Sequence, residues 1–130
     1  MDKETKNWLN MVDYDLMTAK EMLNTGRFVY VVFMCHLAIA KALRAIICEC
    51  TKQIPPKTHD LIYLVNIGKV KLSKELSDFI GMINNASVVM RYPEDLSKLI
   101  DSYPREVAVR YFDKTLEVIE CIKEDPRLKE

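Results

Sequence analysis

From Phe28 to Cys50 the chain runs FVYVVFMCHLAIAKALRAIICEC, with apolar residues at Phe28, Val31, Val32, Cys35, Ile39, Ala42, Leu43 and Ile46. That is the i, i+3, i+4, i+7 recurrence of a helix, and no period-two alternation competes with it. The stretch is apolar around most of its circumference, so neighbours must cover it on several sides. It predicts the central helix of a bundle. Its length would also suffice to cross a bilayer, which takes about 20 apolar residues. Lys41 and Arg44 lie well inside it, however, and each charge at bilayer depth costs about 3 kcal/mol or more. A buried core helix is expected, and no membrane span.

The flanking segments supply its partners. A first helix is predicted from about Thr5 to Leu23, with Trp8, Val12, Leu16, Ala19, Met22 and Leu23 on one face and Asp13, Asp15 and Lys20 wet. Asn24-Thr25-Gly26 stops it, Gly26 being able to take the left-handed backbone that closes a helix. So short a connection predicts an antiparallel pair with the central helix. Gln53-Ile54-Pro55-Pro56 ends the central helix, because proline cannot continue one and holds the residue before it extended. Thr58 is the expected cap of a short third helix with Leu61, Leu64 and Val65 inward. Ser73 caps a fourth, whose stripe is Leu76, Phe79, Ile80, Ile83 and Met90 and whose stop is Arg91-Tyr92-Pro93. The polar segment 94–103, anchored by Leu96, Leu99 and Ile100, predicts a loop or a short helical turn. Pro104 begins a fifth helix, with Val107, Ala108, Tyr111, Thr115, Val118, Ile119 and Ile122 inward, ending at Asp125-Pro126. The expected fold is all-α: an up-and-down antiparallel bundle of about five helices.

Composition adds limits. The 130 residues predict one domain spanning the chain. Nineteen basic and nineteen acidic side chains balance, so no global field points to nucleic acid, although a local basic patch is still allowed. The polar start, MDKETKNW, predicts neither signal peptide nor anchor. Cys35, Cys48, Cys50 and Cys121 lack metal-ligand spacing and are expected as free thiols in a reducing cytoplasm. No metal or cofactor motif is present: there is no phosphate-cradling glycine loop and no HExxH. A Cys35/His59 nucleophile pair is disfavoured, because Cys35 lies on the apolar stripe.

Three polar features have chemistry to offer. At about 100° per residue, His36, Ala40 and Arg44 form a row bordering the apolar face, with Lys41 further round; such an edge also suits stems that cover the core and reach water. His59 is expected just after the cap of the third helix, where free N–H groups and the dipole favour an anion and keep imidazole neutral; a local helix-start contact is the structural alternative. Arg91 ends the fourth helix, where a cation suits the dipole, and could grip a phosphate in bidentate fashion with Tyr92 stacking on a base.

Taken in order, these pieces resemble the HEPN (higher eukaryote and prokaryote nucleotide-binding) family. Trp8, Asp15-Leu16 and Ala19 look like its first helix, and His36 to Ala45, HLAIAKALRA, looks like its second. Thr58-His59-Asp60-Leu61 and Arg91-Tyr92-Pro93 look like the THDL and RYP motifs of one branch. The resemblance implies a helical bundle, commonly a homodimer, often paired with a minimal nucleotidyltransferase in systems of toxin–antitoxin type. Several branches are metal-independent ribonucleases using an Arg followed after four to six residues by His; that motif is absent here. Ala40 stands where the family usually has Glu, which leaves the Arg44 flank more cationic. The implied function is a non-catalytic nucleotide- or RNA-binding module, with His59, Arg91, Tyr92, Lys41 and Arg44 as candidate ligand-binding residues and no catalytic residue. The alternatives are a ribonuclease lacking the usual motif and a purely structural dimer subunit.

Overall fold

The computed structural model describes residues 1–129 and contains six α-helices: α1 (Lys3–Asn24), α2 (Phe28–Thr51), α3 (Leu61–Gly68), α4 (Lys74–Arg91), α5 (Leu96–Ser102) and α6 (Arg105–Lys123). A 3₁₀ turn, Pro126–Leu128, follows, and there is no strand among the described residues. The all-helical bundle is as expected, and the apolar 28–50 stretch is its axis. α2 packs against every other helix and against the final turn. Its buried side chains include Val31, Val32, Ile39, Leu43 and Ile46, and its backbone approaches its neighbours through Ala38, Ala40, Ala42 and Ala45. α2 is long and apolar enough to cross a membrane, but here most of it is covered by its partners.

The boundaries follow local chemistry. Gly26 takes φ +81° between α1 and α2, the left-handed conformation the tight reversal requires. α2 closes on Lys52, whose φ of 57° turns the chain before Gln53. Ser73 caps α4 by accepting from the Leu76 N–H. At the far end, Arg127 donates to the carbonyls of Gly68 (2.7 Å) and Lys69 (3.3 Å), satisfying oxygens that the end of α3 leaves without partners.

Four local expectations are corrected. The cap of α3 is Asp60, not Thr58: its carboxylate accepts from the N–H groups of Ile62 and Tyr63, while the Thr58 hydroxyl accepts from the Asp60 N–H just before the helix. A carboxylate one residue from the helix outcompetes a hydroxyl for those donors. Segment 94–103 takes the helical of its two expected forms, as the seven-residue α5 capped by Asp95, but of its three expected anchors only Leu99 is buried; Leu96 and Ile100 are exposed. Pro104 is the residue before α6 rather than its first turn. Finally, Asp15 is not wet. It is 5% exposed, and Lys41 of α2 reaches its Oδ2 at 2.7 Å. An aspartate so buried persists because the ammonium from the neighbouring helix neutralises it.

Candidate functional site

The site is built where the turn before α3 meets the middle of α2 and the end of α4. His36 is fully buried, not bordering water as its row position suggested, and Ala40 is buried with it. His36 Nε2 lies 3.0 Å from the backbone oxygen of His59. A carbonyl can only accept, so Nε2 carries the hydrogen and Nδ1 is left as a bare acceptor. That Nδ1 is buried and without a hydrogen-bond partner. Burial first, and the Arg91 guanidinium second, lower the His36 pKa from 6.5 to about 4, so the ring is neutral at physiological pH.

Two turns along α2 from His36, Arg44 grips the same turn. Its Nη2 donates to the Thr58 carbonyl at 2.5 Å, and its guanidinium stands over the Trp8 ring, 5.7 Å from the centroid. The turn is thus held by two of its carbonyls, each taken by a side chain of α2. From α4, Asn84 Oδ1 accepts the Leu61 N–H at 2.9 Å. With Asp60 holding the next two N–H groups, the start of α3 has no free donors of that set. The expected helix-start anion site at His59 is therefore corrected: its N–H groups are already spent on Asp60 and Asn84.

Positive charge arrives instead from side chains. Arg91, in the last turn of α4, lies over Phe33 at 5.5 Å and reaches toward the Ser87 carbonyl and hydroxyl at 3.5 and 3.4 Å. Its Nη2 is buried and has no hydrogen-bond partner. Arg91 and Arg44 both hold the pKa of His59 below the ordinary imidazole value, in that order after partial burial. The two imidazoles sit with centroids 6.4 Å apart. Among the described residues, neither arginine is paired with a carboxylate. A half-buried guanidinium held by carbonyls and rings keeps its charge for something else.

The five sequence candidates therefore separate. His59, Arg44 and Arg91 come together electrostatically. Lys41 is tied to Asp15 instead. Tyr92 is 79% exposed and lines a neighbouring depression with Val88, Val89 and Lys98. Two further participants escape sequence reasoning. His36 stands in the right row, but the row alone points it to a wet edge. Asn84 belongs to a polar stripe, Asn84, Ser87, Arg91, whose i, i+3, i+7 spacing could have flagged it. Cys35 offers no nucleophile: burial pushes its thiol up to about 12.

The group can hold an anion against two cations, and it offers a neutral, solvent-accessible imidazole beside them. No cluster of metal-ligating side chains exists among the described residues.

Comparison with known proteins fits this architecture. A family model for the HEPN domain matches residues 5–125. The fold is similar to the crystal structure of TT1696 from Thermus thermophilus, with a TM-score of 0.80 at 17% identity over 95% of this chain and 98% of that one. It is also similar to the crystal structure of ST0689, an archaeal HEPN homologue, with a TM-score of 0.75 at 14% identity over 95% and 97% of the two chains. At such identities the likeness concerns the fold alone. No curated protein matches the sequence. With the family model covering most of its length, the chain belongs to the HEPN domain family.

Proposed function

We propose that this chain is a nucleotide- or RNA-binding module whose anion site is Arg44, Arg91 and His59. One observation carries the reading: two partly buried arginines converge on a neutral histidine, with no carboxylate among the described residues to quench them. Ala40 contributes by its size. It is fully buried beside Arg44's turn of α2, and a glutamate there would place a carboxylate within i+4 reach of that guanidinium. The THDL-like and RYP-like segments support placing the chain in the branch that carries both motifs, since these are the segments that supply His59 and Arg91.

A homodimer, a nucleotidyltransferase partner, a toxin–antitoxin role and a cytoplasmic setting belong to the same reading. They rest on the resemblance to the family and, for the last, on four free thiols.

The test uses the protein's single tryptophan. Trp8 reports on Arg44 through their stacked contact, so titration with nucleotide or inorganic phosphate is expected to change its fluorescence. Arg91→Ala is expected to weaken binding at least about tenfold, which is about 1.4 kcal/mol, while circular dichroism stays unchanged. No binding by the wild type near millimolar nucleotide sinks the proposal.

The neutral His59 beside two arginines also favours a second reading, the metal-independent ribonuclease. His59 would take the proton from an RNA 2′-hydroxyl as its oxygen attacks the adjacent phosphorus. The P–O5′ bond breaks, the departing 5′-oxygen takes a proton from water, His59 returns its own to solvent, and the arginines would stabilise the charge that develops on the phosphate. Incubation with structured RNA separates the readings: cleavage that disappears in His59→Ala supports the enzyme, and intact RNA supports the binding module.

A further inference from the structure

Arg91 has a second neighbour. It also lines a cleft of about 450 Å³ between the start of α2, the end of α4 and α5. That volume falls within the range of about 300–1,000 Å³ usual for small-ligand pockets. Its walls are mainly apolar and aromatic, with Phe28, Phe33, Met90, Leu96, Ile100 and Tyr103 among them. Among the described residues, Arg27 and Arg91 are its charged ones, and no carboxylate lines it. A third cation stands close by, for the Arg105 guanidinium lies 5.0 Å from the Phe28 centroid. The acidic residues before α5 belong to the other side: Glu94 and Asp95 line the adjacent depression, and Asp95 is engaged as a cap.

The Arg91 guanidinium is therefore a shared wall. Its charge lowers the pKa of both His36 and His59, and together with its aromatic contact, Phe33, it lines the cleft. Its Nη2 finds no acceptor within the protein, so the hydrogen-bonding capacity of the guanidinium is not filled. We propose that the cleft and the arginine–histidine group are two halves of one ligand site, which takes a nucleoside monophosphate with its phosphate on Arg91 and its base between α2 and α5. This rests on the anion-binding reading above and adds where the organic part of the ligand goes. Charge complementarity selects an anionic head, since arginine is the only charged residue type among the described residues that line the cleft. The flat aromatic walls select a planar body, because ring faces stack on bases whatever the base identity.

The prediction separates the halves. Calorimetry of the full chain compares adenosine 5′-monophosphate, ribose 5-phosphate, inorganic phosphate and adenosine. The monophosphate is expected to bind at least about tenfold tighter than ribose 5-phosphate, and adenosine to bind more weakly than the monophosphate. Leu96→Ser and Ile100→Ser, at positions 63% and 52% exposed, remove apolar wall without adding charge or emptying the core. Each is expected to shrink the advantage of the monophosphate while leaving phosphate affinity and thermal stability unchanged. Equal binding of the monophosphate and ribose 5-phosphate, or an advantage that survives both substitutions, overturns the cleft while leaving the arginine site intact. Adenosine binding as tightly as the monophosphate overturns the shared arginine. If none of the phosphates binds, the anion-binding reading itself falls, and the cleft proposal with it.

Discussion

Lys41 and Arg44 stand three residues apart on the same helix and meet opposite fates. Lys41 ends on a buried carboxylate from α1, 2.7 Å away, and its charge is consumed there. Arg44 ends on a backbone carbonyl and a tryptophan face, which bind a guanidinium without neutralising it. Burial alone therefore does not mark a functional cation. The partner does. A charge closed by an opposite charge belongs to the architecture, whereas one held by dipoles and ring faces still attracts an anion.

The comparison can be broken from the structural side first. Asp15→Ala leaves Lys41 partly buried without its counter-charge and is expected to cost about 3–5 kcal/mol in urea unfolding, with no change in nucleotide affinity among molecules that remain folded. An equal loss of affinity at the folded baseline would show that the two regions are coupled. His36 gives the next largest effect. The unfolded imidazole takes a proton near pH 6.5 and the folded one only near pH 4, so protonation favours unfolding between those values. Stability is expected to be complete above pH 6.5 and to fall by about 3 kcal/mol as pH drops to 4. His36→Gln, which keeps an N–H for the His59 carbonyl, is expected to flatten that slope in pH-dependent chemical denaturation.

On the anion side the effects are smaller and appear in binding. Partial burial first, and then the two arginines, hold His59 below its ordinary pKa. A bound phosphate dianion, which offsets the arginines' charge, is therefore expected to raise it, measured by NMR titration of the ring with and without phosphate. A His59 resonance indifferent to phosphate would place the anion elsewhere. At the bottom of the scale stands Lys74 with Asp78, an exposed pair on α4. Lys74→Ala is expected to shift neither unfolding nor binding measurably. It is the baseline against which the others count.

These contrasts also show what could be seen from the residues alone. The course of α2, the Gly26 reversal, the Ser73 cap and the stop at Arg91-Tyr92-Pro93 follow from periodicity and terminator chemistry, which are local. The site is less legible. The row His36, Ala40, Arg44 is visible in the chain, but which side of it faces water depends on how α1, α3 and α4 close around α2. Asp15 looks like a surface residue because its partner lies 26 positions away. The extent of α5 escapes because two of its three apolar residues point outward, so its stripe carries little core signal. Thr58 and Asp60 are both credible caps, and Asn84, a residue of another helix, joins the Asp60 carboxylate at that turn by accepting the Leu61 N–H, which local sequence does not show.

The grip on the turn before α3 has a consequence of its own. Arg44 and His36 hold residues 58 and 59 by their carbonyl oxygens, atoms every amino acid possesses. The position of the loop is thus encoded in α2, and the side chain at 59 is mounted on it like an exchangeable fitting. Substitutions at His59 should alter what the site presents without moving the platform that presents it. That makes position 59 the place to install a probe, or a different chemistry, in an otherwise unchanged protein.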